Sequence, residues 1–233
     1  MTGLDGILSD PAALPGWFGK LPGMGDFAHR RLPESFRGRW DPWLQQGMMQ
    51  LRLRHEDWTA RYLEAPVWFF ALAQDVAGPA CWVGIVMPSV DGVGRYFPFA
   101  VACELRQPWQ SLPAAAWPAL HRWWQRAAQA ALEGLDQDQD AARFDATLAR
   151  LFNDDAAGQD DPGPAPSWPA GGQSLWLTHP GGEGQHLLSA GLPREERFGL
   201  LFACAPAPEP TPEPAPEPAA QADAQAVDKV GPT

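Results

Sequence analysis

The sequence predicts an α/β domain, a three-layer α/β/α sandwich around a central mixed sheet, followed by a disordered Pro/Glu/Ala-rich tail. Three observations predict it. Residues 67–73 and 81–87 are continuous apolar runs, so the sheet that holds them must be covered on both faces. Segments with apolar residues three or four apart flank these runs, the periodicity of amphipathic helices. At Pro206 the composition changes to alternating proline with alanine and glutamate, which removes backbone donors and leaves almost nothing to bury. The boundaries that follow are a domain over 12–205 and a tail over 206–233, with residues 1–11 loose.

The elements are expected in this order. Residues 14–21, with Trp17 and Phe18, form a strand that Pro22 ends. Pro33 opens a long helix whose stripe is Phe36, Trp40, Trp43, Leu44, Met48, Leu51 and His55; Pro42 marks a kink or break in it. Asp57 caps a short helix that stops before Pro66. Strands follow at 67–73, 81–87 and 96–103, and Pro98 places an edge or a bulge in the last. Helices at 112–135 and 140–152 carry Trp117, Leu120, Trp124 and Phe144, Leu148, Leu151 on single faces. A long loop over 153–172 precedes two closing strands at 174–178 and 198–204.

Charge and composition exclude whole classes of function. The net charge is −11, and residues 206–233 hold five acids and one base, which leaves −7 for the rest. Nucleic acid and anionic lipid both require clustered cations, so neither is an expected partner. The three cysteines, Cys81, Cys103 and Cys204, lie in apolar runs without metal-site spacing, which reads as reduced, buried thiols. No stretch is long and apolar enough to span a bilayer, and no leader pattern opens the chain, so a cytoplasmic location is expected. Most of the twelve tryptophans fall at core spacings.

Two polar knots interrupt the apolar sequence. The first is Gly19-Lys20-Leu21-Pro22-Gly23-Met24-Gly25-Asp26-Phe27, and the second runs from Pro88 through Ser89, Asp91, Gly94 and Arg95 to Pro98. Gly19-Lys20 is not a phosphate loop, because Leu14 stands where its first glycine belongs and Leu21 where Ser or Thr is required. The histidines at 29, 55, 121, 179 and 186 offer no pair at helix-face spacing. Ser89 with Asp91 lacks the flanking glycines of a hydrolase elbow, so a hydrolase would need a distant histidine to converge on them. Two readings of the charged residues stay open: internal Asp–Arg braces, or fixed charges presented to a partner protein. No catalytic residue, metal or cofactor is assigned.

The same residues carry a resemblance. Gly16-Trp17-Phe18-Gly19-Lys20-Leu21-Pro22, Gly25-Asp26-Phe27, Arg31-Leu32-Pro33 and Trp40-Asp41-Pro42-Trp43-Leu44 resemble the opening of the TagF (ImpM-like) proteins of type VI secretion. Residues 66–72 and 82–98 match the same family in order, and the likeness weakens towards residue 205. The resemblance implies a non-enzymatic, post-translational negative regulator that binds a cytoplasmic forkhead-associated scaffold protein. It also implies that Lys20, Gly25, Asp26, Arg31, Ser89, Asp91, Gly94 and Arg95 form the partner-binding edge. An accessory role in baseplate or membrane-complex assembly is the alternative, and a cryptic hydrolase the third.

Overall fold

The computed structural model describes residues 6–10, 13–153 and 162–203; the tail at 206–233 lies outside the described residues. Strands β1 (Gly16–Gly19) and β2 (Ala28–Arg30) are followed by helices α1 (Glu34–Arg54) and α2 (Trp58–Glu64). Then come β3 (Trp68–Leu72), β4 (Cys81–Met87) and β5 (Phe99–Leu105), helices α3 (Trp117–Asp136) and α4 (Ala141–Asn153), strands β6 (Gln173–Leu177) and β7 (His186–Ala190), and helix α5 (Glu196–Leu201). The strands form one sheet in the order β2-β1-β5-β4-β3-β6-β7.

Every pairing in that sheet is antiparallel, which corrects the expected mixed sheet. The physical reason is that continuous apolar runs report covered faces, not strand direction. Short connections such as the one between β3 and β4 return the chain directly, as antiparallel pairs allow. Alternate residues of the strands feed two apolar clusters. Trp17, Val83, Ile85 and Val101 join the cluster that includes Leu120, Trp124, Phe144 and Leu148 of α3 and α4. Phe18, Phe70, Trp82 and Trp176 join the cluster that includes Trp40, Leu44, Tyr62 and Phe198 of α1, α2 and α5.

Four further expectations need correction. Residues 198–204 begin in a helix, because Phe198, Leu201 and Phe202 are spaced three and four apart as well as forming a short apolar run, and α1 offers Trp43 and Gly47 beside Phe198. Strands β2 and β7 were not expected, since both are sheet edges with little apolar signal. Residues 1–11 are not uniformly loose: Ile7 and Leu8 are buried, and Leu8 bridges to Leu105. Pro98 sits just ahead of β5, so no bulge is needed, and Pro42 lies inside α1 without ending it.

Ten of the twelve tryptophans are buried, and several donate the indole N–H to a backbone carbonyl, whereas that of Trp40 has no hydrogen-bond partner among the described residues. Trp109 donates to the Leu72 carbonyl at 2.8 Å, Trp124 to Gly84 at 2.9 Å and Trp68 to Leu201 at 2.8 Å. A buried donor that keeps its hydrogen bond avoids the desolvation cost of an orphan. The two exceptions are Trp58 and Trp168, which are only half-buried.

Candidate functional site

Sheet order brings the two polar knots together. β1 pairs with β5, and β5 with β4, so the loop after β1 and the loop between β4 and β5 meet at one end of the sheet. Gly92 N–H donates to the Met24 carbonyl at 2.7 Å, which ties one loop to the other through backbone. A Cβ on Gly92 would lie 2.8 Å from the Pro22 carbonyl oxygen, so only glycine permits this approach. Gly94 has φ +82°, the left-handed region that the tight return from Asp91 to Arg95 requires.

Asp91 is the hub. Its Oδ2 accepts from the Lys20 ammonium at 2.6 Å and from Arg95 Nε at 2.7 Å, while its Oδ1 accepts from the backbone N–H of Val93 at 3.1 Å and Arg95 at 2.8 Å. The side chains of Asp91 and Lys20 are almost wholly buried, whereas that of Arg95 is half-exposed. Burial pushes the Asp91 carboxyl up, but the hydrogen bonds from Lys20, from the Arg95 backbone and side chain and from Val93 outweigh it and hold the group well below the usual carboxylate range. Arg95 also donates through Nη2 to the Gly25 carbonyl, a second bond between the loops.

Ser89 closes the clamp from beneath. Its hydroxyl donates to the Lys20 carbonyl at 2.7 Å. Its backbone N–H donates to the Tyr62 hydroxyl at 2.8 Å, and that hydroxyl donates to the Ser89 carbonyl at 3.1 Å. Burial raises the Tyr62 phenol above its ordinary range, so it acts as a neutral double-ended bridge between α2 and the loop. Among the described residues, the Ser89 hydroxyl bonds to the Lys20 carbonyl and the Asp91 carboxylate to Lys20, Val93 and Arg95, and neither bonds to a histidine. No group of three His, Cys, Asp or Glu among the described residues stands where it could hold a metal ion.

The eight residues read from sequence therefore divide. Lys20, Ser89, Asp91 and Arg95 form one cluster, with Gly25 and Gly94 shaping its loops. Asp26 and Arg31 do not join it. Among the described residues the Asp26 carboxylate accepts from the neighbouring Phe27 N–H alone, at 2.8 Å, and it is exposed. Arg31 turns to α4, where Nη2 donates to Asp145 at 2.6 Å, and its Nε donates to the Pro15 carbonyl at 2.9 Å. Arg30 and the Trp17 indole bind the same carboxylate, the latter at 2.9 Å. Burial raises the Asp145 carboxyl, and the hydrogen bonds of Arg31, Trp17 and Arg30 reverse that and lower it. Asp145 escaped the sequence reading because it is one acid on a helix, more than a hundred residues from its partners.

The clamp leaves a rim. Gly25, Asp26, Phe27, Gly92, Val93, Gly94 and Arg95 are all exposed on the outer side of the buried cluster. Beside it, an open groove of about 770 Å³ runs between the loops and α1, lined among others by Phe27, Met49, Arg52, Leu53, Trp58 and Tyr96. Sequence reading did not single out this groove, although Met49 and Leu53 are apolar residues four apart on the polar side of α1.

Comparison with known proteins places the chain. The family model for the TagF N-terminal domain, described as type VI secretion system-associated, matches residues 16–151. The crystal structure of PA0076 from Pseudomonas aeruginosa PAO1 is similar, with a TM-score of 0.65 and 28% sequence identity, covering 84% of this chain and 97% of that one. No curated protein matches the sequence significantly.

Proposed function

Because the chain belongs to the TagF N-terminal domain family of type VI secretion-associated proteins, we propose that it is a cytoplasmic, post-translational negative regulator of that system. It acts by occupancy, binding a forkhead-associated scaffold component without covalent chemistry. Binding would hold the apparatus off in proportion to its preference for an assembly-incompetent form of the scaffold. Among the described residues no helix is long and apolar enough to cross a membrane, which is compatible with that site of action.

The observation that carries this reading is the buried Lys20–Asp91–Arg95 clamp beneath an exposed rim. A rim fixed by buried charge pays little ordering entropy when a partner docks, as recognition surfaces require. Ser89, the one serine of the second knot, is buried and already donates to the Lys20 carbonyl, which supports a holding role over a reacting one. The two apolar clusters on either side of the sheet support the three-layer reading of the domain. The test is deletion of the gene with secretion as readout. Secretion rises if the protein represses. A fall would overturn repression and favour the assembly-accessory role.

A further inference from the structure

An open sheet has two edges, and this one guards them differently. β2 is three residues long and its last residue, Arg30, is tied to Asp145 on α4, so it offers little to an incoming strand. β7, at the other edge, is a five-residue strand. Its outward groups follow from the ladder. The Gln185 carbonyl accepts from Thr178 N–H at 3.0 Å, and Gly191 N–H donates to the Gly172 carbonyl at 2.7 Å, at the two ends of the β6–β7 pair. Inward bonding alternates along an antiparallel strand, so Leu187 and Ser189 bond to β6, while the N–H and C=O of His186, Leu188 and Ala190 point away from the sheet. All three outward-bonding residues are exposed. Leu188 is 48% exposed, although Leu175, directly opposite it on the same face, is buried in the α3–α4 cluster.

One contact interrupts this edge. Arg197, in the first turn of α5, donates through Nη1 to the Leu188 carbonyl at 2.9 Å, at the centre of the strand. Its place is fixed by its neighbours. Phe198 packs on Trp43 of α1 with centroids 5.3 Å apart, and the Trp43 indole donates to the Pro193 carbonyl, in the link from β7 to α5, at 2.5 Å. The Ser189 hydroxyl reaches the Ala190 carbonyl only at 3.5 Å, too far to satisfy it well.

The occupant that matches this edge is a second copy of β7. Residues 186, 188 and 190 are symmetric about Leu188, so two copies paired antiparallel about that residue set His186 against Ala190 and Leu188 against itself. That register gives each outward N–H an outward C=O and brings the two exposed Leu188 side chains together on one face. The two-fold axis of such a pair passes through the Arg197 contact. Each guanidinium sits on the carbonyl that the other copy's central N–H needs, and two positive charges would meet at the axis. A charged side chain at this position is the kind of guard that keeps sheet edges from joining.

We infer that Arg197 is a latch on a self-complementary sheet edge: while it holds the Leu188 carbonyl, β7 stays unpaired, and its release lets two copies join β7 to β7 in one continuous sheet. This rests on β7 and α5 alone and is independent of the scaffold reading.

The test uses the full chain, isotope-labelled for amide NMR, with sedimentation velocity for mass and amide hydrogen exchange for the edge. In the wild type the Leu188 amide exchanges as an unpaired one at every protein concentration. Arg197→Ala is expected to double the wild-type mass as concentration rises, with the His186, Leu188 and Ala190 amides becoming protected in step. Adding Leu188→Lys sets like charges opposite each other across the pair and returns the wild-type mass. Arg197→Gln repeats the measurement if the alanine variant loses its fold, and loss of fold in both would make Arg197 a support of the domain and no latch. A folded Arg197→Ala protein that keeps the wild-type mass overturns the inference. So does doubling that leaves the Leu188 amide unprotected, because another surface then joins the copies. Protection of that amide already in the wild type overturns it too, because another strand then occupies the edge.

Discussion

Asp91→Asn is the sharpest test of the clamp, because asparagine keeps the shape and the Oδ1 acceptor for Val93 and Arg95 N–H while removing the charge. What is left is a Lys20 ammonium with 5% of its side chain exposed and no counter-ion. Breaking one partner out of a buried ion pair costs about 3–5 kcal/mol. Arg95, half-exposed, can turn to water and adds little, so the cost lies with Lys20. For a domain of this size about 1 kcal/mol corresponds to roughly 2–4 °C in Tm, so the variant should melt some 6–20 °C lower. Urea unfolding at pH 7 measures the difference, and Lys20→Met added to Asp91→Asn should recover about 1.5–3 kcal/mol as coupling energy. An Asp91→Asn protein within about 0.5 kcal/mol of wild type would refute the clamp as a stabilising unit. The pH dependence has a definite sign. The folded carboxyl of Asp91 is depressed, so its contribution is present above the unfolded carboxylate value of about 3.9 and is lost as pH falls below it. Wild-type stability should therefore fall with acid more steeply than that of Asp91→Asn, with Asp145 contributing in the same direction.

Three other outcomes follow from the same geometry. Asp26→Arg should leave unfolding within about 0.5 kcal/mol of wild type, because its carboxylate makes only a local, exposed bond, yet it should weaken scaffold capture if the rim is the contact edge. Co-precipitation with the scaffold component checks this, and undiminished capture removes Asp26 from the edge. Asp145→Ala strips a carboxylate from Arg30, Arg31 and Trp17 at once and should cost about 1–3 kcal/mol by urea titration, since the indole donor is left part-buried without an acceptor. Gly47→Val should destabilise by about 1–3 kcal/mol, because its Cβ would meet the Phe198 ring and force α5 from α1; equal stability would show that this packing gives way freely.

What was legible in the sequence depended on whether the signal was local. The stripe from Phe36 to Leu51 and the runs at 67–73 and 81–87 carry their burial in their own periodicity, and the structure buries them. The two knots were legible as a pair of polar, glycine-bearing loops. That Lys20 answers Asp91 was not, because 71 residues separate them and only the β1–β5–β4 neighbourhood brings them together. Arg31 was grouped with Asp26 on proximity in sequence. The hairpin from β1 to β2 instead sends it to Asp145, with Arg31 itself held at φ +60°. The α5 segment was misread for the opposite reason: six residues are too few for period alone to separate helix from strand. Met49 and Leu53 were not singled out, because two apolar residues four apart on the polar side of a helix do not stand out from the apolar side chains that any protein surface carries.

The clamp raises the question of why a buried ion pair stands where apolar packing would hold two loops as well. Replacing buried ion pairs by hydrophobic side chains of similar volume is often neutral or stabilising, so stability alone does not account for Lys20 and Asp91. Direction does. A carboxylate with four donors in fixed positions admits one arrangement of the 91–95 turn, whereas methyl groups would admit several. Arg95 connects that fixed turn to the Gly25 carbonyl, and Lys20, whose ammonium lies 4.9 Å from the Phe27 ring, connects it to the start of the rim. The same three charged groups thus set the loop geometry on the inside and the electrostatics of the groove on the outside. Substitutions at Asp91 and at the rim should consequently separate in a double-mutant cycle: Asp91→Asn with Asp26→Arg is expected to be additive in stability but coupled in scaffold binding, because only binding reads the position in which Asp91 holds the rim. Additivity in both would mean that the clamp holds the domain together and leaves recognition to other surfaces.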